Sequence, residues 1–523
     1  MNLVEVLAEQ CRLRPQAAAV IEARNGRERV TRFAELSERS GRVATWLQIA
    51  GVRAGDPVLI FHPMSAELYV VLLGVFRLGA VAMFLDPSAG REHIERCCAL
   101  QPPRALIASP RAHLLRLISG ALRRIPHKIV IGPWLPGTSP LGRADARAVM
   151  TACEPCEAET PALLTFTSGS TGQPKATVRT HGFLLTQHRL LARHLELVAG
   201  EVDLTTLPIF LLANLASGVT SVIPDADLRR PGSIVPGPVL EQIRCCGVTR
   251  CTASPAFFER LLAGAGEAGA PGSLRKIYTG GAPVFPRLMR RLQEAAPEAQ
   301  VAAVYGSTEA EPIAHIRAQE ITNDDRTAMV QGRGLLAGLP IPEIRLAVIR
   351  DQWGTPLDRL SDAEFTSLCQ PAGAPGEIAV TGAHVLKGYL HGHGDEETKF
   401  KVAGTVWHRT GDAGQLDASG RLWLLGRSAA KITDEYGVLY PFSVECVAQE
   451  QPGVRRAALV AIGGKRILAV EPETPLVENT KRSLLNTLAW AHLSEIRTFP
   501  SLPVDPRHNA KIDYPALRRM LAD

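Results

Sequence analysis

The sequence contains no unbroken apolar run long enough to cross a lipid bilayer. A membrane-spanning helix needs about 18 or more consecutive apolar residues. The longest apolar region covers residues 69–85, but Arg77 interrupts it and Gly79 favours its division into a helix and a strand. The first residues include Glu5 and Glu9 and lack the apolar core of a signal peptide. We therefore expect a chain without a membrane span.

Cysteine is present, but not in a pattern that binds metal or forms a disulfide framework. Ten cysteines are scattered along 523 residues, and Cys153 and Cys156 form a single CxxC pair. A structural zinc site of this type needs a second pair at suitable spacing, which the sequence lacks. Scattered cysteines in a long chain are typical of a reducing compartment. We therefore expect a cytoplasmic protein.

The chain has little excess charge of either sign. Its net charge is +6, with 46% hydrophobic and 21% charged residues, as in globular proteins. This balance does not indicate a general affinity for nucleic acid or membrane surfaces, so we expect no nucleic-acid partner. The most basic stretch contains Arg104, Arg111, Arg116, Arg123, Arg124 and Lys128. We interpret it as a solvated helix face, with a docking patch for an acidic partner as the alternative.

Apolar segments with strand and helix periodicity alternate through the first half of the chain. Residues 58–61 form an apolar run between Pro57 and Pro63, which predicts a buried strand. Helices are then predicted at residues 66–78, 92–100 and 111–122, and strands at residues 81–85, 105–108 and 129–131. Residues 203–303 repeat this alternation, which predicts an α/β fold. The length of the chain predicts two or three packed units.

The last hundred residues have a different pattern. Residues 406–425 are predicted to form two strands joined by a turn at residues 417–420. They are followed by a hairpin at residues 431–440, a helix near Val444, a strand at residues 457–461 and two helices. We therefore predict a large N-terminal domain at residues 1–426 and a small α+β C-terminal domain at residues 427–523.

The most distinctive local feature is a loop of hydroxyl side chains, glycines and one lysine. It consists of Thr167, Ser168, Gly169, Ser170, Thr171, Gly172, Gln173, Pro174 and Lys175. A strand is predicted before it at residues 163–167 and after it at residues 176–180. Glycines let backbone N–H groups converge on an anion, while hydroxyls and lysine add donors and positive charge. We therefore interpret the loop as a polyphosphate cradle.

Three other interpretations of this loop fail on spacing or composition. A Walker loop requires GxxxxGK, then Ser or Thr and a helix, whereas Lys175 precedes Ala176 and a predicted strand. A nucleophile elbow requires GxSxG, and Ser170 has Ser168 two residues before it. A flexible Gly/Ser linker does not explain Pro174 followed by lysine.

The nine loop residues resemble the signature of the adenylate-forming superfamily, which includes acyl-CoA synthetases, luciferases and peptide-synthetase adenylation domains. The resemblance extends in order over nearly the whole chain. It implies a multi-subdomain α/β N-terminal domain and a small mobile C-terminal domain that turns about residues 426–430 between two half-reactions. It also implies ATP and Mg²⁺, and a small-molecule carboxylic acid that is joined to AMP with release of pyrophosphate.

A second stretch resembles the family's next signature and consists of Val304, Tyr305, Gly306, Ser307, Thr308 and Glu309. The resemblance places the residues after Val304 in the ATP site. Tyr305 would stack on adenine, Thr308 would hydrogen-bond the α-phosphate, and Glu309 would hold Mg²⁺, which prefers carboxylate and phosphate oxygens. Taken alone, the stretch also fits the N-cap of a helix.

Further ATP-binding residues follow from the resemblance. A glycine turn implied to lie beside the adenine and the acid consists of Gly280, Gly281 and Ala282. Asp412, in the RTGD stretch at residues 409–412, would accept both ribose hydroxyls, with Arg427 as its basic companion. Taken singly, these features also fit plain loops and surface ion pairs.

Lys511 lies in a stretch, residues 506–512, that resembles the family's C-terminal catalytic loop. It is therefore the predicted catalytic cation, together with Thr308 and Glu309. A carboxylate must approach an anionic α-phosphate, and the transition state gathers further negative charge there. A lysine neutralises that charge. In isolation Lys511 also fits an ordinary surface lysine.

The segment at residues 207–215 aligns with the family's acid-pocket motif. The predicted pocket residues are Phe210, Leu211, Asn214 and, in a later segment, Pro255. Many acyl-CoA synthetases have His after the Phe, where this chain has Leu211. No acidic residue lies at residues 207–220, and an unpaired ammonium in such a pocket would be costly. We therefore reject α-amino acids and predict a fatty or other apolar acid.

Three stretches, residues 222–227, 309–312 and 503–511, are similar to long-chain acyl-CoA synthetase-like enzymes and to β-lactone synthetases of olefin biosynthesis. The first relationship implies acyl transfer to CoA or an acyl carrier protein. The second implies closure of a β-hydroxy acid by its own hydroxyl, with His408 and His508 as polar partners. Thioester formation is the prediction and lactone formation the alternative. A non-catalytic nucleotide-binding relative is a second alternative.

Overall fold

The computed structural model describes residues 1–24, 27–168, 174–266, 272–476, 478–505 and 511–522. The chain forms two compact units. The first consists of Met1–Asp225 and Ala383–Asp395, and the second of Ala226–Gly382 and Glu396–Asp523.

Helices and strands alternate in the first unit. Its α-helices are α1 (Val4–Leu13), α2 (Phe33–Ile49), α3 (Ala66–Arg77), α4 (Arg91–Leu100), α5 (Pro110–His113), α6 (Gly120–Arg124), α7 (His181–His194) and α8 (Pro208–Ser217). Its strands are β1 (Ala18–Arg24), β2 (Arg27–Arg32), β3 (Pro57–Phe61), β4 (Val81–Phe84), β5 (Ala105–Ala108), β6 (His127–Val130), β7 (Ser139–Pro140), β8 (Pro161–Ser168), β9 (Pro174–Thr180), β10 (Val202–Thr205) and β11 (Thr220–Ile223). Short 3₁₀ turns lie at Pro87–Ala89, Leu114–Leu117, Leu141–Ala146 and Leu390–Gly392.

Two sheets organise the first unit. One has the strand order β7-β6-β5-β3-β4-β8-β9, in which neighbouring strands are parallel except for β8 and β9. The other has the order β10-β11-β1-β2, with β1 and β2 antiparallel. Every residue of β3 and β5 is buried, as expected for parallel strands with both faces covered.

Helix α3 explains why residues 69–85 do not form a membrane span. The helix begins after Ser65, whose side chain accepts a hydrogen bond from the Leu68 N–H. It ends at Arg77, which is buried and donates to the carbonyl oxygens of Met150 and Thr151. In the part of the chain that the structure describes, no helix has the length and apolar character to cross a bilayer.

The second unit begins with parallel strands and continues with antiparallel ones. After residue 225 the α-helices are α9 (Pro236–Cys245), α10 (Pro255–Ala265), α11 (Pro286–Ala295), α12 (Asn323–Val330), α13 (Asp362–Leu368), α14 (Asp395–Thr398), α15 (Pro441–Glu450), α16 (Glu478–Thr487) and α17 (Tyr514–Ala522). The strands are β12 (Arg250–Ala253), β13 (Lys276–Gly280), β14 (Gln300–Ser307), β15 (Ala310–Arg317), β16 (Leu335–Pro340), β17 (Ile344–Ile349), β18 (Arg359–Leu360), β19 (Gly376–Gly382), β20 (Lys399–Val402), β21 (Thr405–Leu416), β22 (Leu422–Arg427), β23 (Ile432–Asp434), β24 (Gly437–Leu439), β25 (Val454–Ile462), β26 (Lys465–Pro472) and β27 (Glu495–Thr498).

The main sheet of this unit has the order β12-β13-β14-β15-β16-β22-β21-β19-β17. Strands β12, β13 and β14 are parallel, and every later neighbour is antiparallel. Strand β20 pairs antiparallel with β21 and parallel with β18. The hairpin of β21 and β22 turns at residues 417–420, as predicted.

The segment after Ala430 has apolar clusters of its own. Strands β25, β26 and β27 form a three-stranded sheet, and β23 pairs with β24. Leu459 and Leu468 lie in a cluster with residues of α15 and α16. Val460 and Ile467, their neighbours on the opposite face, lie in a second cluster with residues of α17. The segment is therefore α+β, while a domain boundary after residue 426 stays a prediction.

The predicted α/β class is confirmed, but one predicted helix is wrong. Residues 111–122 form α5, a 3₁₀ turn and α6 rather than one helix. The break follows from Ser119, whose side chain accepts a hydrogen bond from the Leu122 N–H and begins a new helix. The strands β26 and β27 were not predicted and lie between the predicted strand β25 and the final helix.

Candidate active site

The arms of the predicted phosphate cradle are two antiparallel strands. Strand β8 leads into the loop and β9 leads out, with Thr167 opposite Lys175 and Ser168 opposite Pro174. A strand therefore follows the loop, as predicted, and a Walker loop is excluded because it requires a helix there. The remaining predicted cradle residues lie outside the described residues and are Gly169, Ser170, Thr171 and Gly172.

Lys175 is buried against a segment that is distant from it in the sequence. Its ammonium lies 5.9 Å from the centre of the Tyr389 ring, within the range of a cation–π interaction. Tyr389 forms a backbone bridge with Thr177 of β9, and its N–H donates to Asp395 Oδ1 over 2.8 Å. Gly394 also contacts the lysine, since a Cβ added there would lie 2.6 Å from Lys175 Cδ and Cε. These contacts set the direction of the lysine side chain.

Replacing Gly394 by alanine is expected to displace the Lys175 side chain and to weaken the use of ATP. The added methyl group would lie 2.6 Å from the lysine, closer than non-bonded carbon atoms approach. A charge-assisted hydrogen bond contributes about 1.5–3 kcal/mol. We therefore expect kcat/KM for ATP to fall about tenfold or more, measured by ATP–pyrophosphate exchange.

Gly404→Ala is the matched control for this prediction. Gly404 has φ +87°, close to the +96° of Gly394, but an added methyl group meets no atom within 4 Å. The two variants therefore carry similar backbone strain, and only Gly394→Ala touches Lys175. Equal losses in the two variants would show that Gly394 does not act through the lysine.

The stretch from Tyr305 to Glu309 forms the tip of a β-hairpin. Strands β14 and β15 are antiparallel, with Tyr305 opposite Ala314 and Ser307 opposite Ala310. Thr308 and Glu309 form the turn, and the Glu309 N–H donates to Ser307 Oγ over 3.2 Å. The helix N-cap interpretation of this stretch is therefore wrong, because a strand follows the turn. Gly306 lies within the last part of β14.

Three of the predicted nucleotide-binding residues meet in the second unit. Asp412 of β21 lies opposite Arg427 of β22, and Arg427 Nη1 donates to Asp412 Oδ1 over 2.9 Å. The Tyr305 hydroxyl donates to Asp412 Oδ2 over 2.8 Å. Burial and the charge of Asp412 raise the pKa of Tyr305 well above its usual value, so the phenol keeps its proton. Two donors thus orient the carboxylate that is predicted to bind ribose.

His408 is a neutral, buried imidazole close to this cluster. Its Nδ1 lies 3.3 Å from the carbonyl oxygen of Thr398, so Nδ1 carries a proton and donates. Burial and the positive charge of Lys399 lower the pKa of His408 to about 3, against the opposing effect of Glu309. The imidazole is therefore uncharged at neutral pH, with Nε2 unprotonated. His508, its predicted counterpart, lies outside the described residues.

The Glu309 carboxylate is suited to be one ligand of a Mg²⁺ ion. Its negative charge acts on both Arg427 and His408, which places the carboxylate near the Asp412 cluster. Mg²⁺ is usually bound through one or two carboxylates together with substrate phosphates. Among the described residues, no three His, Cys, Asp or Glu side chains are grouped to hold a metal. Glu309 therefore fits as a single protein ligand.

The predicted glycine turn is anchored to the strand that carries Tyr305. Gly280 ends β13 opposite Val304 of β14, and a Cβ on Gly280 would lie 2.6 Å from the Val304 carbonyl oxygen. A side chain is therefore excluded at this position. Gly281, with φ +78°, and Ala282 continue the turn.

A buried ion pair within the RTGD stretch was not predicted. Arg409 Nε and Nη2 donate to the two carboxylate oxygens of Glu377 over 2.7 and 2.8 Å, and both side chains are 1% exposed. Arg409 also donates to the carbonyl oxygens of Thr355 and Gln352. The pair joins β21, which carries Asp412, to β19. The sequence held one signal for this ion pair, namely Glu377, an acidic residue near the start of a strand that is otherwise mostly apolar.

The residues predicted to line the acid pocket lie on two helices. Helix α8 carries Phe210, Leu211 and Asn214, all buried, and α10 begins with Pro255, also buried. Asn214 Nδ2 donates to Asp203 Oδ2 over 2.8 Å and to Ser221 Oγ over 3.2 Å. The Asn214 amide therefore holds α8 against β10 and β11. Contact with the acid stays a prediction for these residues.

Lys511 is exposed, at one end of a short backbone pairing between residues 504–505 and residues 511–512. Its carbonyl oxygen accepts the Asp505 N–H over 2.8 Å, and Val504 forms a bridge with Ile512. This pairing brings Asp505 and Lys511 together, and residues 506–510 lie outside the described residues. The catalytic role of Lys511 stays a prediction, as do those of Thr308 and Glu309.

Known proteins similar to this chain cover nearly its whole length. The family model for AMP-binding enzyme matches residues 7–390. An olefin beta-lactone synthetase of Stenotrophomonas maltophilia (strain K279a) is 32% identical over 505 residues, which is 92% of this chain and 89% of the relative. The anthranilate CoA ligase AuaEII in complex with anthranoyl-AMP has a TM-score of 0.82 at 21% identity, over 100% of this chain and 98% of that chain. ATP-bound MatB from Rhodopseudomonas palustris has a TM-score of 0.80 at 21% identity, over 100% of this chain and 99% of that chain.

The sheets and helices of the two units thus form an adenylate-forming enzyme fold. The chain belongs to the AMP-binding enzyme family of adenylate-forming enzymes, which confirms the resemblance found in its motifs.

Proposed function

We propose that this enzyme uses ATP to activate a β-hydroxy carboxylic acid as its acyl-AMP and then closes the acyl-AMP to a β-lactone. The Asp412 carboxylate, held by Tyr305 and Arg427, is the observation that carries the nucleotide part of the proposal. Similarity over 92% of the chain to an olefin beta-lactone synthetase supports the lactone part. We therefore favour closure to a β-lactone over thioester formation, which was the leading prediction from the sequence.

In the first half-reaction, a carboxylate oxygen of the acid attacks the α-phosphorus of ATP and pyrophosphate leaves. Asp412 would bind the ribose hydroxyls, and Lys175 would bind the polyphosphate. Thr308 would donate to the α-phosphate, and Lys511 would neutralise the charge that builds up there. Mg²⁺, held by Glu309, would neutralise phosphate charge.

In the second half-reaction, the β-hydroxyl oxygen attacks the acyl carbon and AMP leaves, while the hydroxyl proton is released. No external acceptor is needed, because nucleophile and electrophile are in one molecule. Transfer to the thiol of CoA or of an acyl carrier protein is the alternative. Both routes share the acyl-AMP, so they differ only in the product and in the requirement for a thiol.

The proposal includes the small domain predicted at residues 427–523. Its support is that the clusters on both faces of the β25–β26–β27 sheet draw their members from Ala430 onwards. A segment with its own core is able to turn as a body about residues 426–430.

A cytoplasmic location also belongs to the proposal, supported by ten free cysteines.

The test is product analysis with β-hydroxy alkanoic acids, with and without CoA. The expected result is acid-dependent ATP–pyrophosphate exchange, and a product with the mass of the acid less one water that forms without CoA. A CoA thioester as the product would favour the alternative. Absence of exchange over a broad panel of acids would favour a non-catalytic nucleotide-binding protein and would overturn the proposal.

A further inference from the structure

The positive charge of the protein is concentrated in one segment of the first unit. Residues 97–144 contain seven Lys and Arg residues and no Asp or Glu. Since the whole chain carries +6, the rest of it has a net charge of −1. The segment is therefore a local basic region on a chain that is otherwise nearly neutral.

The same segment exposes four large apolar side chains. The exposed fractions are 58% for Leu114, 76% for Leu117, 52% for Ile118 and 60% for Trp134. Three of them fall in or next to the 3₁₀ turn between α5 and α6, where one continuous helix was predicted. Leu122 of α6 lies in the buried core, whereas Leu114, Leu117 and Ile118 are exposed.

Hydrogen bonds from two arginines to backbone carbonyl oxygens connect the basic side chains to the segments that carry the apolar ones. Arg123 Nη1 donates to the carbonyl oxygens of Arg116 and Leu117, each over 3.0 Å. Arg116 Nη2 donates to the carbonyl oxygen of Pro136 over 2.9 Å, in the loop that contains Trp134. Arg124 is 78% exposed, and its Nη2 lies 3.9 Å from Glu95 Oε2.

We propose that this surface, called the Leu117 patch and consisting of Leu114, Leu117, Ile118, Trp134, Arg116, Arg123 and Arg124, docks on an anionic lipid membrane. Aliphatic side chains enter the acyl region, tryptophan favours the interface, and arginines pair with anionic headgroups. A nucleic acid would satisfy the arginines but leave three aliphatic side chains without a partner. The surface lies outside the residues assigned to catalysis, and its action is independent of the proposed reaction.

The test is flotation of the full-length enzyme with vesicles of phosphatidylcholine alone or mixed with phosphatidylglycerol. We expect binding to the mixed vesicles that weakens as salt is raised. The double variant Arg123→Glu/Arg124→Glu and the variant Leu117→Ser should each lower the partition coefficient about tenfold or more. Trp134→Phe should remove the blue shift of tryptophan fluorescence that accompanies binding.

Matched controls carry the same substitutions elsewhere on the surface. Arg229→Glu reverses an arginine that is 84% exposed, and Val235→Ser removes an apolar side chain that is 67% exposed. Both should bind vesicles like the wild type. The proposal is overturned if the wild type does not float with anionic vesicles, or if patch and control variants lose binding equally. Capture of an acidic protein without vesicle binding would also overturn it.

Discussion

Replacement of Lys511 by alanine should slow formation of the acyl-AMP by about two to three orders of magnitude. The carboxylate of the acid and the α-phosphate of ATP repel each other, and the transition state adds negative charge at the same place. A single ammonium brought to that place therefore stabilises the transition state more than either ground state. ATP–pyrophosphate exchange measures this step, and Lys511→Arg should keep more of the rate than Lys511→Ala because it keeps the charge.

The position of Lys511 in the fold makes the experiment selective. The side chain is exposed, and its backbone is held by the Asp505 N–H and the bridge from Val504 to Ile512, so truncation should leave the fold intact. Lys465→Ala, at the exposed first residue of β26, is the control and should exchange like the wild type. Chemically prepared acyl-AMP should be processed by Lys511→Ala at a near-normal rate. Full-speed exchange in Lys511→Ala would remove the catalytic role assigned to this residue.

The parts of the fold that were predicted correctly have strong local signals. Strand β3 is an apolar run limited by prolines, and all its residues are buried. Helix α3 has a serine cap and strongly apolar character, and both predicted boundaries lie within one residue of those observed. In these segments the local preference and the buried environment agree, so the sequence alone is sufficient.

The errors arise where a side-chain hydrogen bond to the backbone or a neighbouring strand decides the structure. In residues 111–122 the helical spacing is real, but the Ser119 side chain binds the backbone and begins a new helix. Strand β27 has the sequence EIRT, which is mostly polar, and it is a strand because it pairs parallel with β26. Such a pairing depends on a neighbour that the local sequence does not reveal.

In the candidate active site, too, some contacts could be predicted from the sequence and others could not. The motifs placed Tyr305, Asp412 and Arg427 together, because their order along the chain is typical of one family. The contact of Lys175 with Tyr389 had no such signal, since the two residues are far apart in sequence and no spacing connects them. Contacts of this kind position the functional groups, and they become visible only in the folded chain.

Replacement of Glu377 by alanine should destabilise the second unit by about 3–5 kcal/mol, the usual cost of leaving one partner of a buried ion pair uncompensated. Arg409 is 1% exposed and loses both charge-assisted hydrogen bonds to the carboxylate. Its two bonds to the carbonyl oxygens of Thr355 and Gln352 do not neutralise the charge. Chemical denaturation followed by tryptophan fluorescence measures the loss. Glu377→Gln, which keeps the shape and one acceptor, should lose less.

The control is Asp227→Ala, which removes the partner of Arg229 in an ion pair whose side chains are 49% and 84% exposed. A pair of that exposure contributes about 0–1 kcal/mol, so its loss should barely change the free energy of unfolding. The Glu377 change should also affect the candidate active site, because Arg409 and Asp412 lie on the same strand, β21. At a temperature where Glu377→Ala is still folded, its KM for ATP should rise while the KM for the acid changes less. Equal stability of Glu377→Ala and Asp227→Ala would show that the buried pair does not hold β21 in place.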